Sequence, residues 1–168
     1  ALKNGEAETG VTLMRLDEQL DHGPVISQAK VDIDIDDNCQ TLTNKLTQAA
    51  SQLLAENLPR LAENNYTAVP QAESAASLTP LTKTRTRQNT FVPWEKVKAG
   101  LDGQDALPVH NLIRSTNPDP GAWTKINGQP VKIVETTLLD NLLVIDLVQL
   151  PGKSVIPWRQ YLSGHPLL

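Results

Sequence analysis

Between Thr41 and Asn64 the apolar residues Leu42, Leu46, Ala49, Ala50, Leu53, Leu54, Leu58 and Leu61 recur at steps of three and four. A repeat of about 3.6 residues places such positions on one side of an α-helix, which must then bury that stripe against other parts of the fold. Thr41 is the expected N-cap. Pro59, which lacks an N–H, is expected to kink the helix or to begin its last turn anew.

The segments before this helix have the shorter period of strands. Val11 to Leu16, VTLMRL, lies between Gly10 and the acidic pair Asp17-Glu18 and reads as a short strand. In the segment from Pro24 to Ile35, Val31, Ile33 and Ile35 alternate with Asp32, Asp34 and Asp36, which predicts a second strand with one wet face. The three aspartates fit a solvated strand face better than a metal site.

After Val69 the period is lost. The stretch PQAESAASLTPLTKTRTRQN holds two prolines and many small polar residues, the composition of an extended linker. The expected organisation is therefore a first domain over residues 1–70, a linker over 71–90 and a second domain over 91–168. Within the second, a helix is expected in Asp102–Thr116. It should start near Asp105, because Pro108 fits only a first turn, and stop at Asn117-Pro118. Leu107, Leu112 and Ile113 can share its apolar face. Strand-like runs follow at 122–126, 131–137 and 142–150; Asn127-Gly128 between the first two is a hairpin signal. The tail PWRQYLSGHPLL can add one short helical turn.

Charge is unevenly spread. Residues 1–79 hold 5 Lys+Arg against 12 Asp+Glu and residues 80–168 hold 10 against 7, so only the second half suits a polyanionic partner. The single cysteine, Cys39, rules out a disulfide within the chain. No run of about 20 apolar residues occurs, and ALKNGEAETG lacks a basic-then-apolar signal pattern. The expectation is a cytoplasmic protein with no membrane partner. A start without methionine, in a charged and turn-like stretch, suggests a chain that begins inside a larger fold.

Two separated sets of residues carry a family resemblance. Thr9 to Thr12 followed by Leu20 to Gly23, in NGEAETGVTLMRLDEQLDHGPV, resembles folate-dependent formyltransferases, in which a Thr-Gly-Val-Thr strand leads to a Leu-Asp-x-Gly loop. Asn57 to Pro59 and Pro70-Gln71 follow in the same order. LIRSTNPDPGAWTKINGQPVKI at 112–133 and VQLPGKSVIPWRQYLSGHP at 148–166 look like the C-terminal domain of methionyl-tRNA formyltransferases. The resemblance implies an α/β fragment of a Rossmann-like formyltransferase domain, followed by a small, mostly β, OB-like C-terminal domain. The short connection between the strands at 132–133 and 143–146 implies an abbreviated barrel.

It also implies chemistry. In that family the amine of methionine on initiator tRNA attacks the formyl carbon of 10-formyltetrahydrofolate, and an asparagine, a histidine and an aspartate serve the reaction. Only the aspartate has a counterpart here, Asp21, flanked by Leu20, His22 and Gly23 as the expected folate-binding loop. The matching asparagine and histidine lie upstream of Ala1; His22, His110 and His165 do not replace the latter. Arg114, Lys125, Lys132 and Lys153 are the implied tRNA contacts, and no metal is implied. Three functions stay open: part of a methionyl-tRNA formyltransferase, inactive alone; a formyltransferase acting on a sugar-nucleotide amine; or a non-catalytic RNA-binding or interaction module. Apolar surface left at the edge of a partial first domain is expected to favour self-association.

Overall fold

The computed structural model describes residues 1–72, 74 and 87–166, so most of the expected 71–90 linker lies outside the described residues. The chain forms two compact units. One, the hairpin unit, comprises Ala7–Ile33 and Thr41–Pro80; the other, the sheet unit, comprises Ala1–Glu6, Asp34–Gln40 and Leu81–Leu168. Two short segments that the sequence groups with residues 1–70 thus belong to the sheet unit.

In the hairpin unit, strand β1 (Glu8–Met14) pairs antiparallel with β2 (Val25–Asp32), from Glu8 opposite Asp32 to Met14 opposite Val25. Val25 also exchanges two 2.8 Å main-chain bonds with Val69. The second strand is shorter than expected. It stops at Asp32 because Asp34–Asp37 closes on itself: the Asp37 N–H donates to Asp34 O at 3.1 Å, and the Asp34 N–H donates to Asp37 Oδ2 at 2.8 Å. A short carboxylate side chain here outcompetes the ladder for main-chain donors. Ile35, expected on the apolar face, is consequently exposed.

Helix α1 spans Cys39–Ala62 and includes Pro59 without ending there. Its cap is Asn38 rather than Thr41, since Asn38 Oδ1 accepts the Gln40 N–H at 2.8 Å. The buried stripe is narrower than the sequence suggests. Leu42, Leu53 and Asn57 are buried, while Leu54 and Leu58 are exposed.

The sheet unit is built on a four-stranded antiparallel meander, β3 (Ala122–Ile126), β4 (Gln129–Leu139), β5 (Leu142–Gln149) and β6 (Val155–Pro157), in that spatial order. Asn127 and Gly128, both at positive φ (49° and 78°), make the expected tight turn, and Asp140 and Asn141 (51° and 64°) make a second one between β4 and β5. Alternation puts Ala122, Thr124 and Ile126 of β3 inward, with Val131, Ile133, Leu143, Ile145 and Val148 from the next strands. Helices α2 (Trp94–Leu101), α3 (Ala106–Arg114) and α4 (Trp158–Gly164) supply Val97, Val109, Ile113 and Tyr161 to the same core. Each such fully buried aliphatic side chain contributes about 1.5–3 kcal/mol.

Three features differ from the sequence expectation. Helix α2, two turns long, is too short to show a period, so the described residues of the sheet unit form three α-helices beside its strands. Leu107 of α3 is exposed; the buried side of that helix carries His110, Asn111 and Arg114 along with Val109 and Ile113. The tail forms both β6 and α4 rather than a single turn. As expected, α3 begins after Asp105, with Pro108 in its first turn. No helix among the described residues is long and apolar enough to cross a membrane.

Candidate functional site

The loop from Asp17 to Gly23, which joins β1 to β2, is held by two sets of bonds and a close-packed glycine. The Arg15 N–H donates to Pro24 O at 3.0 Å and closes the base of the loop. Gly23 is buried there, and a Cβ at this position would overlap the Arg15 carbonyl oxygen, so only glycine fits. The Gln71 amide donates to Asp21 O at 2.9 Å and to Gly23 O at 2.7 Å, which fixes the main chain on both sides of His22. Pro70-Gln71 is part of the family resemblance, yet nothing in its spacing announces a glutamine reaching back about 50 residues to the loop.

At the tip the main chain of Asp21 is left-handed (φ 53°), a conformation that Asp tolerates better than most residues. Its carboxylate is exposed. The adjacent His22 pairs with Asp17: His22 Nδ1 lies 2.7 Å from Asp17 Oδ2, while Asp17 Oδ1 accepts the Gln19 N–H at 2.9 Å. The hydrogen bond from His22, and then that from Gln19, hold the Asp17 carboxyl below its ordinary pKa. Leu20 stands 93% exposed beside these groups. The loop therefore carries an exposed carboxylate, an Asp–His pair and an exposed apolar side chain within a few residues. A carboxylate so placed can orient an imidazole or accept a proton from an amine.

The four expected cationic contacts lie in the sheet unit and differ in character. Lys125 and Lys153 are exposed and Lys132 is half-buried. Arg114 is only 6% exposed and turned inward: its Nη1 donates to Asp34 O (2.8 Å) and Asp37 O (2.9 Å), its Nε to Asn111 Oδ1 (2.8 Å). It clamps the segment that interrupts β2. His110, one helical turn earlier, grips the same segment. Its Nε2 lies 2.9 Å from Ile35 O, a pure acceptor, so the proton is on Nε2, and Nδ1 at 2.9 Å accepts the Thr136 hydroxyl.

Burial, and secondarily the Arg114 charge, outweigh the Ile35 bond and the Asp36 and Asp146 charges, so the His110 pKa lies below its ordinary value. The unfolded chain then binds the extra proton first. His110's contribution to stability is complete above an unfolded pKa of about 6.5 and is lost as pH falls towards the folded value. We expect urea midpoints of the protein to drop between neutral and mildly acid pH, and the His110→Gln variant to show a flatter profile over that range. Parallel profiles would contradict this assignment.

The formyl transferase family profile matches residues 1–58, and the profile of the formyl transferase C-terminal domain matches residues 103–142. The methionyl-tRNA formyltransferase of Kosmotoga olearia is 30% identical over 190 residues, which cover 98% of this chain and 58% of that protein. The chain thus spans about half the length of the curated relatives it matches. Among solved structures, HypX from Aquifex aeolicus in complex with tetrahydrofolic acid superposes with a TM-score of 0.67 at 19% identity, covering 99% of this chain and 32% of that one. The N-formyltransferase from Helicobacter canadensis, in complex with folinic acid and dTDP-3-aminofucose, gives 0.63 at 24% identity, over 83% and 47%. These likenesses establish the α/β formyltransferase fold. With one profile on the β1–β2 hairpin and α1 and the other on α3 and the first strands of the sheet, the chain belongs to the formyl transferase family.

Proposed function

We propose that this chain is the portion of a methionyl-tRNA formyltransferase that supplies the catalytic aspartate and the tRNA-facing C-terminal unit. The observation that carries this reading is the Asp17–Gly23 loop, in which Gln71 and Gly23 hold Asp21 at an exposed tip within the segment matched by the family profile. Leu20, His22 and Gly23 then form one wall for 10-formyltetrahydrofolate.

The reaction follows from the chemistry of acyl transfer. The methionyl amine attacks the formyl carbon, the C–N bond to the folate breaks, and tetrahydrofolate leaves. Negative charge on the tetrahedral intermediate needs a donor, and the ammonium must lose a proton. Asp21 serves the proton side, directly or through an imidazole. The asparagine and histidine that share this work in the resembled enzymes have no matched position here, so transfer is expected only when this chain is accompanied by a segment that provides them.

The second unit, read as an abbreviated OB-like domain, contributes Lys125, Lys132 and Lys153 to tRNA phosphates. Arg114 acts indirectly, by holding the 34–37 turn. The protein works in the cytoplasm, in translation initiation. An amine on a sugar nucleotide is the alternative acceptor, as the Helicobacter canadensis neighbour suggests. The direct test is formyl transfer from 10-formyltetrahydrofolate to methionyl-tRNA and to an amino-sugar nucleotide, by the chain alone, by a longer protein containing it, and by the Asp21→Ala form of the latter. Transfer to the sugar only, or transfer that survives Asp21→Ala, would refute the proposal.

Leu16, Leu20, Leu54, Leu58 and Val69 of the hairpin unit are exposed. A soluble unit seldom leaves so many large apolar side chains in water without a partner. The isolated chain is therefore expected to self-associate through these side chains. Light scattering over a concentration series tests this, and a monodisperse monomer at all concentrations would be the contrary result.

A further inference from the structure

The outward face of the four-stranded sheet carries a groove of ≈ 350 Å³ lined by Trp123, Lys132, Gln149, Pro120, Pro151 and Gly121 among others. Cross-strand register sets three of these side by side: Trp123 of β3 faces Lys132 of β4, which faces Gln149 of β5. An aromatic ring, a cation and an amide thus form a row across three strands.

Each member of the row is held. Trp123 packs on Phe91, with ring centroids 4.8 Å apart, while the Val92 N–H donates to Trp123 O at 2.8 Å. The Gln149 amide donates to Lys153 O at 2.8 Å. Lys132 crosses over Gly121, and its Nζ donates to Pro118 O at 2.8 Å. Gly121 has φ 85°, and a Cβ there would overlap Lys132 Cε, so the absent side chain is what seats the ammonium. Among the described residues Lys132 is the one charged side chain lining the groove, and Lys125 extends the same outward row of β3 beyond Trp123.

We propose that this groove binds a single-stranded RNA nucleotide, the base stacking on Trp123 and the adjoining phosphate meeting Lys132. Such a site requires a π-surface and a positioned cation within one nucleotide's reach. Among the described residues no carboxylate lines the groove, which suits the phosphate, and its proline and indole walls suit the base. The proposal deepens the reading of an RNA substrate by naming the feature gripped: an unpaired nucleotide rather than a duplex.

The test is fluorescence anisotropy of a labelled adenylate hexamer, an abasic ribose-phosphate hexamer and an RNA duplex, each titrated with the full chain across a salt series. The adenylate hexamer should bind tightest. Lys132→Ala should lower the slope of log affinity against log salt by about 0.7. Trp123→Ala should weaken the adenylate hexamer about tenfold and leave the abasic one unchanged, which also shows that the variant is folded. Gly121→Ala, which unseats Lys132 from the opposite side, should reproduce the Lys132→Ala slope. Equal affinity for the abasic hexamer, a preference for duplex, or variants that bind as the parent does would each overturn the proposal. Because no step involves formyl transfer, a failure here leaves the catalytic reading standing, and hexamer binding without formyl transfer would separate the two in the other direction.

Discussion

Replacing Asp21 by alanine in a longer protein that contains this chain is expected to lower kcat for formyl transfer by about 10²–10⁴-fold, the usual contribution of a positioned proton-transfer group. The effect should fall on kcat more than on KM. Asp21 is exposed at the loop tip, and among the described residues its carboxylate makes no bond that would be needed to hold the loop; Gln71 binds the main-chain oxygen instead. Asp21→Asn tests the same point with the shape retained: an amide can still orient a neighbour but cannot accept the proton. Kinetics of the alanine and asparagine forms beside the parent would settle the role. Rates within twofold of the parent for both would remove Asp21 from the mechanism. Loss in the alanine form with recovery in the asparagine form would make it a positioning residue.

Gly23→Ala should be the most damaging single methyl group in the hairpin unit. The added carbon has no room, because the Arg15 carbonyl oxygen occupies its place while the Arg15 N–H is bonded to Pro24 O. Relief requires opening the base of the loop, with loss of that bond and of the Gln71 contact to Gly23 O. The expected destabilisation is about 3–5 kcal/mol, at the upper end for one substitution. The Gly128→Ala change offers a control, since nothing lies within 4 Å of a Cβ there and the penalty is only that of a left-handed alanine. Chemical denaturation of the two variants gives the comparison. A Gly23→Ala midpoint no lower than that of Gly128→Ala would show that the loop base can relax at little cost.

Of the fold, the parts specified by local rules could be read directly from the sequence. The 122–126 run and the Asn127-Gly128 turn appear where alternation and positive-φ preference place them, and α3 starts where Pro108 permits. Helix α1 was evident from its period, but its start was not: Asn38 and Thr41 are both acceptable caps in isolation, and a short turn just ahead of the helix decides between them. The Asp21 loop was visible only through likeness to a family. Residue spacing alone cannot distinguish a catalytic aspartate from a turn residue before glycine.

The sequence by itself determined the local elements whose period or turn chemistry is complete within about ten to twenty residues, and the family to which they belong, because those signals depend only on neighbours along the chain. Tertiary structure decided the rest. It ended β2 by closing Asp34 on Asp37, and it turned Arg114 from an expected phosphate contact into an internal clamp some 77–80 residues away from its acceptors. It also set Gln71 against the loop and aligned Trp123, Lys132 and Gln149 on one sheet face. Those outcomes rest on which main-chain oxygens and which strand partners come within reach after folding, and pairings between residues so distant leave no trace in the local pattern.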